Sequence, residues 1–350
     1  MADPRPRRRR RSAVRIIATV GVVAVLLVAG WAAAAPGPAA VPPRPDPGTA
    51  AEGPSAVDRV RPAVVGLRVR VPADRLSAVT LGTERSGTAV LLDRDGLAVT
   101  VGYLVLEATW LEARLDTGFT VGARVVGHDL ESGLALIRLD ATRAPYPTVP
   151  LGEAAAVSPG DPVSIIGALA EGPTLGLAAR VTAVRPFVAY WEYMLERAFR
   201  VAPTHPAFGG AALVDADGRL IGLVSLRLPE GHVAIPIDLL APVREAMVLD
   251  GRPARPPRPW LGLRALDAEG GILVAGLTPG GPAARGGLRE GDVILHVAGT
   301  RVVDVTDFYR RLWARAIGED LELGIVRDGT PATVVVRPRD RYAAYQFRSP

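Results

Sequence analysis

The chain has 350 residues, more than a single hydrophobic core usually holds, so two or three folded units are expected. An apolar fraction of 49%, a charged fraction of 22%, and 38 Gly with 32 Pro exclude wholesale disorder and collagen and favour many short strands joined by turns. The absence of cysteine removes disulfides, thiolate metal sites and cysteine nucleophiles, and four histidines, His128, His205, His232 and His296, remain for base or ligand chemistry.

The net charge of +5 is local. Residues 1–15 hold seven arginines against Asp3, which leaves the other 335 residues with 34 basic and 35 acidic side chains. A basic face for nucleic acid therefore has no compositional support. Residues 16–35, IIATVGVVAVLLVAGWAAAA, are uncharged and almost wholly apolar. As a helix they would extend about 30 Å and match a bilayer core, and the preceding arginine run would stay cytoplasmic. A cleaved signal peptide ending near Ala32–Ala35 is the rival reading; both export the rest of the chain. Residues 36–54 carry seven prolines and read as an extended spacer, and 250–257 open a second Pro-rich break, DGRPARPPRP, that marks a domain boundary.

Between 55 and 249, Ser55 caps a short helix AVDRVR that Pro62 stops. Short apolar or alternating runs follow: TAVLLD, LAVTV, ARVVG, LALIRL, VSIIG, ARVTAV, LIGLVSL and HVAIPI. Helical character is expected near 101–113, in YWEYMLERAF at 190–199, and in a closing segment at 236–249. So many short strands suggest a barrel or a pair of barrels.

Five separated blocks then carry a resemblance. SGTAVLLDRDGLAVTVGYLV, ARVVGHDLESGLALIRLD, PLGEAAAVSPGDPVSIIG, HPAFGGAALVDADGRLIGLVS and AIPIDLL follow one another in the order and spacing of the HtrA/DegP serine proteases. The resemblance implies a mainly β chain with a trypsin-like double β-barrel over 55–249, in which His, Asp and Ser from different blocks would form a triad. It also implies trimers and no cofactor.

The triad is where this chain departs from the family it resembles. Where members write T-N-N-H-V-V, this chain has Thr100-Val101-Gly102-Tyr103-Leu104-Val105, so Tyr103 holds the base position. A phenol with a pKa near 10 does not take a serine proton at neutral pH as imidazole does. The carboxylate position of D-L-A-V is Gly133, and in the block N-P-G-N-S-G-G-P the nucleophile position is Gly209, with Ala207 in the oxyanion turn. His205 and Ser132 are candidates for a relocated pair, but no serine stands at the turn built to expose one, and His205 reads as a turn or surface residue. The other three histidines sit singly, with no ligand-type spacing. The aromatic cluster Tyr190, Trp191, Tyr193, Met194 and Phe199 packs into the vacant cleft as core or offers a hydrophobic partner site. Phe208 is a second candidate for filling the substrate pocket.

Residues 258–340 read as a small α/β sandwich. Asp304 with Asp307 three positions on caps a helix whose apolar face is Val305, Phe308, Leu312 and Ala316. The segment resembles a PDZ domain in the HtrA arrangement, with GPAARGGLREGDVI echoing the family's SPAAxAGLxxGDxI. Trp260-Leu261-Gly262-Leu263 then takes the place of the carboxylate-binding loop. Turn residues around Gly262 can point successive N–H groups at a terminal carboxylate, and the strand after it offers an edge to an extended peptide. Phe308 and Leu312 would line the apolar pocket, and Arg264, Arg310 or Arg311 would attract acidic groups beside it. The alternative is that WLGL is only a strand entering the core.

These readings lead to a single-pass membrane protein, its bulk on the periplasmic side, that has lost catalysis and binds peptides or protein C-termini. Two rivals stay open: an active envelope endopeptidase using relocated residues, and a structural envelope protein with no peptide ligand.

Overall fold

A computed structural model describes residues 55–347. The expected membrane span and Pro-rich spacer lie outside the described residues, and among those described no helix is long and apolar enough to cross a membrane.

Ser55 accepts from the Asp58 amide and caps α1 (Ala56–Val60), as its side chain chemistry dictates. The first barrel closes from β1 (Val64–Arg70), β2 (Glu84–Leu91), β3 (Leu97–Val101), β4 (Trp110–Arg114), β5 (Thr120–Asp129) and β6 (Leu134–Leu139), in the order β1-β2-β3-β6-β5-β4. Two single-turn helices interrupt it, α2 (Ala78–Leu81) and α3 (Gly102–Val105). The stretch expected to have helical character near 101–113 is therefore one helical turn followed by a strand. The second barrel closes from β7 (Pro162–Ala168), β8 (Thr174–Ala189), β9 (Tyr193–Ala202), β10 (Ala212–Val214), β11 (Leu220–Leu228) and β12 (Gly231–Pro236), in the order β10-β11-β12-β9-β8-β7. Closure leaves neither sheet an unpaired edge, and a single core of buried Val, Leu, Ile and Ala runs through both barrels.

The helix expected over 190–199 is a strand. Tyr193, Met194 and Leu195 pair with Ala189, Val188 and Phe187 of β8, and this tertiary ladder overrides a local pattern that fits either period. Tyr190–Glu192 form the tip of the β8–β9 hairpin. The closing segment at 236–249 divides around Pro242 into a 3₁₀ turn at Ile237–Leu239 and α4 (Arg244–Asp250), which ends on Gly251 at φ +74°.

The C-terminal unit has a sheet of β14 (Leu263–Ala268), β15 (Gly271–Leu277), β16 (Val293–Val297), β18 (Leu321–Arg327) and β19 (Thr330–Val336) in that spatial order, with β17 (Thr300–Arg301) beside β16. A two-stranded ribbon pairs β13 (Pro259–Trp260) with β20 (Arg339–Asp340). The sheet is covered by α5 (Pro282–Arg285) and α6 (Val305–Trp313), and Asp304 caps α6 through the Asp307 amide. Val305, Phe308 and Leu312 are buried as expected, but α6 ends before Ala316, which is exposed. One residue from outside joins this core: Met194 of β9 is 2% exposed and packs with the C-terminal cluster.

Candidate functional site

At the junction of the two barrels the structure brings together Tyr103, Gly133 and Gly209. The Gly102 amide donates to the Gly133 carbonyl at 2.7 Å, and the Thr88 amide of β2 donates to the Gly209 carbonyl at 2.8 Å. Thr88 Oγ1 also accepts from the Ala168 amide at 3.0 Å, so Thr88 of the first barrel ties both the Gly209 turn and the end of β7 to it. The turn needs its next glycine: Gly210 has φ +82°, and a Cβ there would stand 2.0 Å from the Thr88 carbonyl oxygen.

Across this junction Tyr103 donates its hydroxyl to the Ser225 carbonyl at 2.7 Å. Its removal from water raises the phenol's pKa further above the ordinary range, which takes it away from any base role near neutrality. A Cβ on Gly209 would lie 2.9 Å from the Tyr103 hydroxyl oxygen. At Gly133, φ is +78° and a Cβ would lie 2.8 Å from the hydroxyl of Tyr193, which donates to the Ser132 carbonyl at 2.7 Å. Two phenols thus stand against Gly209 and Gly133, the two glycines that the resemblance aligns with the nucleophile and the carboxylate.

His205 is buried rather than on the surface. Its Nδ1 accepts from the Ala207 amide at 3.1 Å and its Nε2 lies 3.2 Å from the Leu175 carbonyl, while its own amide donates to His232 Nε2 at 2.7 Å. Burial lowers the pKa of both rings, His232 to about 4. Both nitrogens of His205 serve the backbone, and Ser132 Oγ accepts from the Leu134 amide at 3.3 Å. Phe208 stacks on His232, ring centroids 5.2 Å apart.

The second locus is the loop before β14. Gly262 has φ +77°, which turns the chain so that three successive amides point one way, and a Cβ there would meet the Trp260 ring at 2.8 Å. All three amides converge on one carboxylate: Leu261 at 2.8 Å, Gly262 at 2.6 Å and Leu263 at 3.0 Å, with Glu192 the acceptor. Glu192 is 5% exposed, at the tip of the β8–β9 hairpin. Burial raises its pKa, with the three amides and Arg341 acting in the opposite direction. Two residues earlier, the Tyr190 carbonyl accepts from the Ala265 amide of the β14 edge at 2.7 Å. Tyr309 of α6 closes the other wall, donating to the Ala189 carbonyl and accepting from the Glu192 amide, both at 2.8 Å.

Of the residues singled out in the sequence, Trp260, Leu261, Gly262 and Leu263 form this loop, while Phe308 and Leu312 lie fully buried in the core behind it. Arg310 pairs with Glu196 of β9 and Arg311 with Asp307, both at 2.8 Å, so neither stands free beside the groove. Sequence reasoning missed Glu192, Tyr309 and Arg341. The one available signal was a carboxylate in the middle of the aromatic run Tyr190-Trp191-Glu192-Tyr193.

Two closed six-stranded barrels sharing one core, followed by a sheet-and-helix unit with an amide-lined loop, define a trypsin-like peptidase domain joined to a PDZ domain. Residues 87–223 match the trypsin-like peptidase domain and residues 259–337 the PDZ domain. The chain is an HtrA/DegP-like protein. It is 30% identical over 276 residues to a DegP-like periplasmic serine endoprotease of Halomonas elongata, covering 73% of this chain and 56% of the relative. It is 26% identical over 295 residues to the chloroplastic protease Do-like 1 of Arabidopsis thaliana, covering 75% of this chain and 65% of that one. The chain thus spans little more than half the length of the Halomonas relative. Among solved structures, the HtrA-type protease AlgW with a decapeptide superposes with a TM-score of 0.53 at 26% identity, covering 82% of this chain and 98% of that one. A serine endoprotease from Yersinia pestis gives 0.51 at 25% identity, covering 83% of this chain and 99% of that one.

Proposed function

We propose that this chain is a catalytically inactive HtrA-like protein of the cell envelope whose PDZ groove recognises peptides or protein C-termini. The observation that carries the reading is the convergence of the Leu261, Gly262 and Leu263 amides on a single carboxylate at 2.6–3.0 Å. Such a cradle is built for a terminal carboxylate, and charge-assisted bonds of this kind discriminate an acid from its amide. The HtrA-type protease AlgW, similar in fold, is solved with a decapeptide, which supports peptide recognition by this chain. The loss of catalysis rests on Gly209, which has no hydroxyl, on Tyr103 in place of an imidazole, and on Gly133 in place of a carboxylate. The relatives are named as proteases, so the proposal separates this chain from them on chemistry rather than on fold. The periplasmic naming of the Halomonas relative supports an envelope location, with residues 16–35 as the anchor and, by family resemblance, a homo-oligomer.

The test pairs two measurements on the full-length protein. Incubation with an unfolded protein substrate should give no cleavage above buffer, and a serine-directed phosphonate should label no residue. Peptides with free C-termini and apolar last residues should bind, and their amides should bind at least tenfold more weakly. Labelling at any serine would establish the relocated-residue endopeptidase instead. An absence of all peptide binding would leave the structural role.

A further inference from the structure

We propose that the β8–β9 hairpin tip is a built-in ligand of the PDZ groove, with Glu192 in the place of a C-terminal carboxylate, so that a peptide binds only by displacing it. The inference rests on the groove being a peptide receptor, and adds what holds that groove closed.

The tip reproduces both halves of an added strand. Its carboxylate is held by the three amides of residues 261–263, and two residues back its Tyr190 carbonyl accepts from Ala265. Leu263 and Ala265 are two apart on β14, so their amides face the same edge, the one an incoming peptide would use. Met194, just beyond the tip, is buried in the PDZ core cluster together with Phe308 and Leu312. Carboxylate, backbone and an apolar side chain are therefore all supplied by one segment of the second barrel.

Backbone conformation argues that the fit is specific. Glu192 adopts φ +55°, in the left-handed region that a residue with a Cβ avoids unless its surroundings impose it. The surroundings are its three amide donors, the Tyr309 hydroxyl that accepts from its amide, and Arg341, whose Nη1 donates to its carbonyl at 3.3 Å. A hairpin that merely clipped the two units together would be served by a buried aliphatic residue. A buried carboxylate is costly to place and is matched only by a cradle of donors, which any other carboxylate can equally satisfy.

Competition follows from tethering. The hairpin tip is presented at an effective concentration of order millimolar or above, so the groove is mostly self-filled, and its apparent affinity falls by the fraction that is open. Displacement would release the bonds from Ala265, Tyr309 and Arg341 together, and so loosen the PDZ domain from the second barrel.

The experiment uses the full-length protein, with an array of peptides bearing free C-terminal carboxylates and apolar last residues and the same array amidated. Glu192→Gln keeps the side-chain length and removes the charge. Its affinity for the free-acid peptides should rise at least tenfold over wild type, amidated peptides should bind each protein at least tenfold more weakly than the free acids, and Gly262→Val should remove binding in both backgrounds. Equal affinities for wild type and Glu192→Gln would overturn the built-in ligand and leave the receptor reading standing. Binding of no peptide by either protein would overturn both. A second measurement needs no variant: hydrogen exchange across residues 189–193 of the wild-type protein should speed up when the tightest peptide of the array is bound. Unchanged protection of that segment in the peptide-bound protein would overturn displacement.

Discussion

The hydroxyl of Tyr103 stands 2.9 Å from where a side chain on Gly209 would begin, and its hydrogen bond to the Ser225 carbonyl pins it there. The Tyr103 side chain and the side chain that Gly209 lacks are therefore two sides of one steric arrangement. Gly209→Ser should yield no hydrolysis and no phosphonate labelling, because a hydroxyl with neither base nor orienter gains little. It should also cost roughly 1–3 kcal/mol in urea denaturation, the range for forcing extra atoms into a packed site. Combined with Tyr103→Ala, much of the loss specific to the serine should disappear, giving a coupling well above the scatter of independent sites.

At Gly133 the expected outcome is harsher. Gly133 combines φ +78° with a Cβ position 2.8 Å from the Tyr193 hydroxyl, so Gly133→Asp meets both backbone strain and a clash. A loss of about 2–4 kcal/mol is expected from the two together. Tyr193→Phe should relieve part of it by removing the oxygen, even though it gives up the bond to the Ser132 carbonyl. Urea midpoints of the two single variants and the double variant measure this.

Acid should destabilise the fold before its carboxylates titrate. His128 is 3% exposed, its Nδ1 has no hydrogen-bond partner among the described residues, and the Phe347 ring lies 4.9 Å away. The neighbouring Asp129 is paired with Arg255 at 2.6 Å, and Arg255 and Arg258 each hold Glu131 at 3.1 Å, so these charges balance two against two. Burial pushes the imidazole from 6.5 down to about 4. The unfolded chain therefore binds a proton that the folded chain refuses between those pH values. Stability is full above pH 6.5, falls as pH drops through this window, and stops falling from this source below pH 4. The loss is on the order of 3 kcal/mol. His128→Gln should reduce that part of the stability profile, leaving the slope contributed by His205 and His232, whose pKa values burial also lowers.

Topology is testable without the fold. A reporter fused after Pro350 should be active only outside the cytoplasm, and the protein should resist carbonate extraction if residues 16–35 are retained as a helix. A soluble form beginning near Ala35 or Pro36 would identify a cleaved signal instead.

Much of this protein follows from the chain alone. Period-two runs separated by Gly, Pro and Asp-Gly turns specify strands because alternation and turn chemistry are local properties. Ser55 and Asp304 cap helices because their side chains reach amides three residues on. The expectation that Gly209, Gly133 and Tyr103 stand in place of a hydroxyl, a carboxylate and an imidazole comes from residue type and block order alone. What the chain alone left open depends on partners distant in sequence. Tyr190–Phe199 reads equally as helix or strand until β8 pairs with it, and the hairpin then lifts Glu192 out of an aromatic run and sets it 69 to 71 residues away against the 261–263 amides. His205, polar and between turn residues, is buried because its ring is held between the Ala207 amide and the distant Leu175 carbonyl while its own amide donates to the His232 ring. Local propensity carries no information about such contacts, because each requires two segments to meet in a geometry that only closure of the second barrel and docking of the PDZ sheet create.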